Sequence, residues 1–328
     1  MVAAPRGLGR PLLLARARSA PPLALADSPV WREQLASHGG LRHNGSIPHR
    51  AGIMTMPANA PGNAAASSSE AELLELLETL YNSRNPTRRW LHCTRRDWII
   101  AKIREAARER PGRAAEIGFG AGVYLPALAE GYREVVATDL DEAHLAHARP
   151  LLARHPNLRL ATDDIAASRL PAAGFDLVLC SEVLEHIPNT RAVMTGLRRL
   201  LAPGGILILS TPQRYSLMEL ACKVAFLPGV IDLVRRIYGE AVFETGHINL
   251  MTAGAVAAAL EREGLQIRER FKSGLYLPLL AEFGGMPGLR LARWLEERLR
   301  AGRLSFALWT QYYVAQLPQL AGRAEDHN

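Results

Sequence analysis

Cysteine is scarce in this chain, and the few cysteines follow no recognisable pattern. Only Cys93, Cys180 and Cys222 occur among the 328 residues, and no two of them form a C-x-x-C pair. A disulfide framework needs paired cysteines and a zinc–thiolate site needs closely spaced ones, so the sequence indicates neither. We therefore expect a protein of the reducing cytoplasm.

Long apolar runs are missing as well. No uncharged apolar stretch reaches the roughly 18 residues that a transmembrane helix needs. The apolar fraction of 48% is nevertheless normal for a globular protein. The composition therefore predicts a folded protein that does not span a membrane, and peripheral contact with a membrane stays open.

Acidic residues are missing from the start of the chain, where none precedes Asp27. Residues 1–69 are rich in Ala, Pro, Arg, Ser and Gly and show no sustained hydrophobic periodicity, so we predict that they are disordered. An Arg-rich, acid-poor start resembles an organelle transit peptide. A start assigned too early, with Met54 or Met56 as the true first residue, is the alternative. We favour disorder or a misassigned start over targeting, and we also predict a disordered tail at 319–328.

The positive charge of the chain is concentrated in the same N-terminal segment. The formal net charge is +7, and residues 1–70 contain seven Arg and three acidic residues, hence +4. Only +3 remains for the part that should fold. A nucleic-acid partner would need a basic surface, which this balance does not require.

A glycine-rich loop between two predicted strands is the most informative feature of the sequence. Glu116 ends the first strand, Gly118, Gly120 and Gly122 follow in alternation, and Asp139 closes the next strand. Glycines allow the backbone to turn tightly and to approach a ligand without an intervening Cβ. An acidic residue about 20 positions beyond such a loop can accept hydrogen bonds from both ribose hydroxyls. The pattern predicts a site for a nucleoside-bearing cofactor.

Four motifs, in order, resemble those of class I S-adenosylmethionine (SAM) methyltransferases. The E-x-G-x-G-x-G spacing is similar to the first motif of that family and differs from the G-x-G-x-x-G of dinucleotide-binding proteins. The later matches are Asp164 and Ile165, the segment GFDLVLCSEVLEHIPN (174–189) and the segment LAPGGILILSTP (201–212). The matches extend over roughly residues 88–317. The resemblance implies a methyltransferase that uses SAM.

The resemblance and the hydrophobic periodicity together predict an α/β fold. We expect a Rossmann-like, mostly parallel, seven-stranded sheet with helices on both faces and an antiparallel last strand, over residues 70–318. A helical lid insertion (213–245) should follow strand 5, and a second helical insertion is expected at 275–302. Strands are predicted at 113–117, 134–138, 157–161, 175–180, 205–210, 266–274 and 305–316. Helices are predicted from about residue 70 and at 95–108, 122–130, 141–153, 190–201 and 252–264.

The resemblance also implies which residues contact the cofactor. Glu116 should engage the methionine amino group, Asp164 and Ile165 the adenine, and Ser181 the region beneath the sulfonium. Arg95 is expected near the methionine carboxylate, although a solvated charge on an N-terminal helix is an equal alternative. The complete predicted cofactor site is Arg95, Glu116, Gly118, Gly120, Gly122, Asp139, Asp164, Ile165 and Ser181.

A cluster of ionisable residues follows the fourth predicted strand, where the acceptor should meet the methyl group. Glu182, Glu185 and His186 are the candidate catalytic residues, since removal of the acceptor's proton is the main chemical task left to the protein. In one interpretation His186 is a general base. In the other, Glu182, Glu185 and His186 bind Mg²⁺, Mn²⁺ or Zn²⁺, and resemblance to small-RNA 3′-terminal 2′-O-methyltransferases implies His247 as a further ligand. A purely structural role for the two histidines stays open.

Resemblance to two families supports the metal interpretation, and the two families differ in the acceptor that they methylate. E-x-x-E-H at this position resembles the motif of ubiquinone-biosynthesis O-methyltransferases and that of small-RNA 3′-terminal 2′-O-methyltransferases. The apolar insertions 213–240 and 275–300 favour a small hydrophobic acceptor, either quinone-like or lipid-like, and amphipathic segments of this kind can lie on a membrane. RNA methylation and a non-catalytic SAM-binding subunit are the alternatives. The oligomeric state and the acceptor atom stay open.

Overall fold

The computed structural model describes residues 80–227, 229–238 and 247–319. The whole N-terminal extension 1–69, most of the predicted helix from about residue 70, nearly all of the predicted C-terminal tail and part of the lid lie outside these ranges.

Seven strands of the described chain form one mixed sheet, in the spatial order β3-β2-β1-β4-β5-β7-β6. β7 is antiparallel to both β5 and β6, whereas the pairs among β1 to β5 are parallel. This arrangement confirms the predicted sheet with its antiparallel last strand. The strands are β1 (Arg113–Ile117), β2 (Glu134–Asp139), β3 (Leu158–Thr162), β4 (Phe175–Ser181), β5 (Leu201–Pro212), β6 (Gln266–Ser273) and β7 (Thr310–Gln316).

Helices connect these strands and cover both faces of the sheet. The α-helices are α1 (Pro86–Glu109), α2 (Leu125–Gly131), α3 (Glu142–Arg154), α4 (Thr190–Leu200), α5 (Leu217–Ala225), α6 (Val230–Tyr238), α7 (Ala253–Arg262), α8 (Pro278–Phe283) and α9 (Gly285–Arg300). Short 3₁₀ turns lie at Ile165–Ala167, Leu184–His186 and Arg303–Ala307. None of the helices in the described ranges combines the length and the apolar character that crossing a bilayer requires.

Alternate residues of the central strands supply the two halves of the core. Val178 of β4 and Leu207 and Leu209 of β5 pack with α4 and α7. Leu177 of β4 and Ile208 of β5 are also fully buried but have the opposite strand parity, and α1 contacts β5 on that side. Burial on both faces explains why these strands read as continuous apolar runs.

Helix α1 begins earlier than the sequence pattern predicts, at Pro86 rather than at residue 95. The side chain of Asn85 accepts hydrogen bonds from the backbone N–H groups of Thr87 and Arg88, and Pro86 occupies the first helical turn. Asn at the N-cap followed by Pro is a strong helix start. The prediction at 95–108 missed it because the first turns of α1 contain few apolar residues.

Two strand starts also differ from the prediction. β5 begins at Leu201 rather than at 205, because the backbone continues through the Pro-Gly-Gly segment with Gly204 at φ +77 and an irregular register against β4. β7 begins at Thr310 rather than at 305, since Arg303–Ala307 forms a 3₁₀ turn. The residues directly before Thr310 are apolar, and their pattern alone does not distinguish a 3₁₀ turn from a strand.

Candidate active site

The glycine loop after β1 adopts a backbone that favours glycine. Gly118, Gly120 and Gly122 have φ values of +65, +52 and +70, in the left-handed region. A Cβ on Gly118 would lie 2.6 Å from Cγ2 of Val183, whereas a Cβ on Gly120 would meet no atom within 4 Å. Gly118 therefore permits close packing against the turn after β4, and Gly120 faces open space in which a ligand can lie.

Asp139, at the carboxyl end of β2, contacts this loop directly. Its carboxylate accepts hydrogen bonds from the backbone N–H groups of Gly120 at 2.8 Å and of Asp141 at 3.0 Å. Nδ1 of His144 lies 3.1 Å from the same carboxylate. Burial raises the pKa of Asp139, but these hydrogen bonds outweigh burial and the pKa lies below its ordinary value. Asp139 is thus ionised, and it is placed beside the glycine loop as the sequence predicts.

Asp164 and Ile165 follow β3, but they face different surroundings. Asp164 is exposed, and its side chain accepts a hydrogen bond from the N–H of Ala166 at 2.9 Å. Ile165 is buried in the main apolar core. Asp164 therefore stabilises the short turn in which both residues lie, and their contact with adenine stays a prediction.

Glu116 has a buried carboxyl group near the carboxyl end of β1. It is 2% exposed, and its Oε2 atom has no hydrogen-bond partner among the described residues. Burial, and then the neighbouring charge of Asp139, raises the pKa of Glu116 well above its ordinary value. A cationic ammonium group at this position would give the orphaned oxygen a partner, so the residue fits the amino group of a bound methionine moiety.

Arg95 joins the site through a chain of polar side chains. Its Nη1 atom lies 2.5 Å from Oε2 of Glu182, and the Oγ of Ser210 donates to Oε1 of Glu182 at 2.9 Å. The hydroxyls of Ser181 and Ser210 are 2.9 Å apart. Arg95 therefore contacts the glutamate that follows β4, and its predicted contact with a methionine carboxylate stays a prediction.

The backbone at Glu182 is unusual. Its φ is +56, in the left-handed region that non-glycine residues seldom adopt. Three contacts hold this conformation: the backbone N–H of Glu182 donates to the carbonyl oxygen of Ser210 at 3.0 Å, and the side chain pairs with Arg95 and accepts from the Ser210 hydroxyl. Such backbone conformations persist where surrounding contacts over-determine them, and they cluster at functional sites.

A second group of ionisable side chains lies at the same edge of the sheet. Ligand atoms of Glu185, His186 and His247 all lie within 4.8 Å of one another. The rings of the two histidines have centroids 5.3 Å apart. Glu182 is outside this group because it pairs with Arg95. The structure thus brings together three of the four predicted metal ligands.

Glu185 has one satisfied and one orphaned carboxyl oxygen. The hydroxyl of Thr211 donates to Oε2 at 3.0 Å, whereas Oε1 has no partner among the described residues. The side chain is fully buried, and burial, followed by the charge of Glu182, raises the pKa of Glu185 well above its ordinary value. A buried carboxyl group with an unpaired oxygen and two neighbouring imidazoles is chemically suited to binding a cation.

His247 is oriented by a carboxylate on the lid. Nδ1 of His247 lies 3.1 Å from Oε1 of Glu219 in α5, and Nε1 of Trp309 donates to the same oxygen at 3.2 Å. A carboxylate oxygen only accepts, so Nδ1 of a neutral His247 carries the proton and Nε2 keeps its lone pair. Metal-binding histidines are commonly held by this kind of carboxylate contact.

Several residues around the site carried no recognised signal in the sequence. Thr211 could have been found, because it directly follows the apolar run of β5, and the carboxyl ends of parallel strands meet at one edge. Glu219 and Trp309 gave no signal, since they come from a lid helix and from the residue before the last strand. His92 also went unnoticed; it packs edge-on against Trp309, and burial, followed by the charge of Arg95, lowers the pKa of His92 to about 3.

Cys180 lies within the core beside the site. It is fully buried in the cluster that β4 forms with α4. Burial raises the pKa of its thiol, and the charges of Glu185, Glu116 and Glu182 raise it further. The thiol therefore packs in the core and stays protonated, which makes it a poor nucleophile.

The chain is similar to known methyltransferases over more than half of its length. The family model described as "Methyltransferase domain" matches residues 89–270. A ubiquinone biosynthesis O-methyltransferase from Pseudomonas aeruginosa is 36% identical over 32% of this chain and 48% of its own length. A "Probable S-adenosylmethionine-dependent methyltransferase" from Mycolicibacterium smegmatis is 28% identical over 47% of this chain and 52% of its own length. The chain spans about half the length of the curated relatives it matches.

Two solved structures that are similar to this chain contain bound S-adenosylhomocysteine. A magnesium protoporphyrin IX methyltransferase from Synechocystis has a TM-score of 0.49 and 16% identity, over 77% of this chain and 97% of the other. The N-methyltransferase NodS from Bradyrhizobium japonicum has a TM-score of 0.46 and 18% identity, over 76% of this chain and 99% of the other.

The family match covers both the glycine loop and the cluster that follows β4. Outside the match lie the start of α1, the insertion α8–α9 and the last strand. The matched stretch thus contains nearly every residue of the two groups described above, and a relative that matches the chain is named as a SAM-dependent methyltransferase. The chain belongs to the methyltransferase domain family and is a class I SAM-dependent methyltransferase.

Proposed function

We propose that this enzyme transfers the methyl group of SAM to an oxygen atom of a small apolar acceptor of quinone-like or lipid-like character. Relatives named ubiquinone biosynthesis O-methyltransferase are similar to this chain over about a third of its length. The lid helix α5 exposes Leu220 and Val224. The same helix supplies Glu219, which pairs with His247 of the ionisable cluster. This connection between an apolar lid and the cluster is the observation that carries the proposal.

The residues of the glycine loop edge would hold the donor. Glu116 would receive the methionine ammonium on its orphaned oxygen, and the ionised carboxylate of Asp139 would accept hydrogen bonds from the ribose hydroxyls. Gly120 leaves open space between them, since a Cβ there would meet no atom within 4 Å. Methyl transfer from a sulfonium is an in-line displacement, so fixing the donor in one orientation is a large part of the catalysis.

Glu185, His186 and His247 would hold a divalent cation. One carboxylate oxygen and two imidazole nitrogens suit a borderline ion such as Zn²⁺ better than Mg²⁺ or Mn²⁺, which prefer oxygen ligands. The orphaned Oε1 of Glu185 and the orientation of His247 by Glu219 fit such an ion. A bound cation would lower the pKa of an acceptor hydroxyl and orient its oxygen. Without a cation, His186 is the general base of the same reaction.

The proposal is tested in two stages with the full chain. Calorimetric titration with SAM first establishes cofactor binding. Transfer of labelled methyl from SAM to a quinol with a free hydroxyl is then measured, with and without EDTA, and after addition of Zn²⁺, Mn²⁺ or Mg²⁺. EDTA should suppress turnover, and Zn²⁺ should restore it more fully than Mn²⁺ or Mg²⁺. His247→Asn should lose at least about tenfold of the activity, whereas His155→Asn, which lies outside the cluster, should not.

The two stages separate the parts of the proposal. Turnover that is indifferent to EDTA and survives His247→Asn would refute the cation and leave His186 as the base. SAM binding without methylation of any quinol or lipid phenol would refute the acceptor class while keeping the methyltransferase.

A further inference from the structure

The outer side of the insertion α8–α9 exposes large apolar side chains. Leu279 is 78% exposed, Phe283 70% and Trp294 49%. Met286 and Leu291 are exposed beside them. We call this surface the α8–α9 face, and it also includes three exposed arginines, Arg290, Arg293 and Arg298. Several large apolar side chains exposed on two helices that pack against each other are typical of an interaction site.

The inner side of the same helices is firmly attached to the methyltransferase domain. The carboxylate of Glu282 pairs with Arg88 of α1 at 2.7 Å. Oε2 of Glu296 accepts hydrogen bonds from the N–H groups of Gly274 at 2.8 Å and Leu275 at 2.9 Å. Both acidic side chains thus point inward. The exposure of the apolar residues is therefore a fixed property of how the helices pack.

The charges on the α8–α9 face have mainly one sign. Arg290, Arg293 and Arg298 are exposed, and Glu297 is the acidic residue exposed on α9, so the exposed part of this helix has a net charge of +2 (three Arg minus one Glu). The guanidinium of Arg298 lies 4.1 Å above the ring of Trp294. Long arginine side chains can cover apolar surface with their stems while their charged ends reach toward anions.

The apolar and basic residues of α9 occupy one side of the helix. Leu291 and Trp294 are three positions apart, and Arg290 and Arg298 are each four positions from Trp294, so these side chains share neighbouring turns of a common face. A helix with aromatic and aliphatic residues among arginines is typical of helices that lie in the interface of a bilayer. Tryptophan in particular favours the level of the lipid headgroups.

We propose that the α8–α9 face docks this enzyme on an anionic lipid bilayer. Phe283, Trp294 and their apolar neighbours would enter the headgroup region, while the arginines contact lipid phosphates. A second copy of the chain fits this face less well, because a twofold contact would bring its arginines against their own counterparts. The proposal goes beyond the proposed function, since it concerns where the enzyme acts and holds for any acceptor.

The face is connected to the active site through α1. The side chain of Asn85, at the start of α1, donates to the carbonyl oxygen of Ala281 in α8 at 2.9 Å. Leu91 of α1 packs with Ala281 and with Met218 of the lid helix α5. Further along α1, Arg95 reaches Glu182. A bilayer under the α8–α9 face would therefore lie next to the helix that supports both the lid and the site.

The test uses flotation of the full chain with vesicles of phosphatidylcholine alone and with vesicles that also contain phosphatidylserine. The enzyme should float with the anionic vesicles and much less with the neutral ones. The double variant Arg290→Gln, Arg293→Gln should bind about 30-fold more weakly, from about fivefold for each arginine near an anionic surface. Phe283→Ser, Trp294→Ser should bind at least about tenfold more weakly. Calorimetric SAM binding and thermal unfolding of each variant report that the domain still folds.

Matched substitutions on α3 provide the control. Leu152→Ser and the pair Arg149→Gln, Arg154→Gln change exposed residues of the same types elsewhere on the protein. They should leave flotation unchanged. The proposal is overturned if the wild-type chain does not float, if the α3 variants lose as much binding as the α8–α9 variants, or if Phe283→Ser, Trp294→Ser abolishes a dimer in sedimentation analysis without changing flotation.

Discussion

Replacing Glu116 by glutamine should have opposite effects on folding and on SAM binding. Glu116 is buried, one of its oxygens has no partner among the described residues, and its pKa is raised well above the ordinary value of 4.5. The folded, ligand-free protein therefore keeps a proton on Glu116 at a pH at which the unfolded chain has already released it. Glutamine has nearly the same shape and cannot ionise.

The sign of the stability effect follows from proton linkage. Between pH 4.5 and the raised pKa, the folded state binds one proton more at Glu116 than the unfolded state does. The free energy of unfolding of the wild-type protein therefore falls as the pH rises, by up to about 1.4 kcal/mol per pH unit. The contribution is fully present below pH 4.5 and is lost as the pH rises through the raised pKa. Glu116→Gln should remove this slope.

SAM binding should change in the other direction. An ammonium group beside Glu116 favours the ionised carboxylate, so wild-type affinity should rise with pH by up to about tenfold per unit until the raised pKa is reached. Glu116→Gln should show no such rise. It should bind SAM roughly 10- to 100-fold more weakly at high pH, from the 1.5–3 kcal/mol of a hydrogen bond to a charged group.

Urea unfolding and calorimetric SAM titration, each repeated over a series of pH values, measure both effects. The comparison is the difference between variant and wild type, because Glu185 also has a raised pKa and contributes a slope to both proteins. Glu109→Gln, at the exposed end of α1, is the matched control and should behave as wild type. Equal pH slopes for Glu116→Gln and wild type in urea unfolding would refute the raised pKa of Glu116, and equal slopes in the SAM titration would refute its assignment to the methionine ammonium.

Two further substitutions test the loop edge. Asp139→Asn should retain the fold but weaken SAM binding by roughly 10- to 100-fold in calorimetry, because a charged hydrogen-bond acceptor is lost; unchanged affinity would remove the ribose assignment. NMR titration should show a lower pKa of His144 in the same variant. In the wild-type protein burial lowers this pKa, but the contact with Asp139 raises it by more than burial lowers it. Gly118→Ala should destabilise folding by about 2–4 kcal/mol in urea, because left-handed φ costs 1–2 kcal/mol and the new Cβ meets Val183. Gly120→Ala should cost only the first amount, and equal losses would contradict the packing argument.

Much of the site could be located from the sequence because its signals are local. Gly118, Gly120 and Gly122 have positive φ values, which few residues other than glycine adopt. The loop could therefore be recognised from the spacing of its glycines in the sequence. Asp139 follows the same loop at a fixed distance, since one β-α-β unit separates them. The parallel sheet, its antiparallel last strand and the class of enzyme followed from these motifs, and all three are confirmed.

The contacts among side chains were decided by the tertiary structure. Arg95 and Glu182 are far apart in the sequence, and only the packing of α1 beside the carboxyl end of β4 brings their charges together. The sequence placed Glu182 among the possible metal ligands. The fold instead groups Glu185 with His186 and His247.

The ends of the helices and strands, and the exposed surface, were also predicted only in part from the sequence. Asn85 and Pro86 begin α1 by a local cap that the hydrophobic pattern does not register, whereas the start of β7 depends on its pairing with distant strands. The amphipathic character of 275–300 was visible in the sequence. Which of its side chains face solvent was fixed by the bonds of Glu282 and Glu296 to distant residues. Local conformational preferences depend on neighbouring residues, so they can be predicted from the sequence. Burial and side-chain pairing involve groups that come together only when the chain folds, so the tertiary structure decides them.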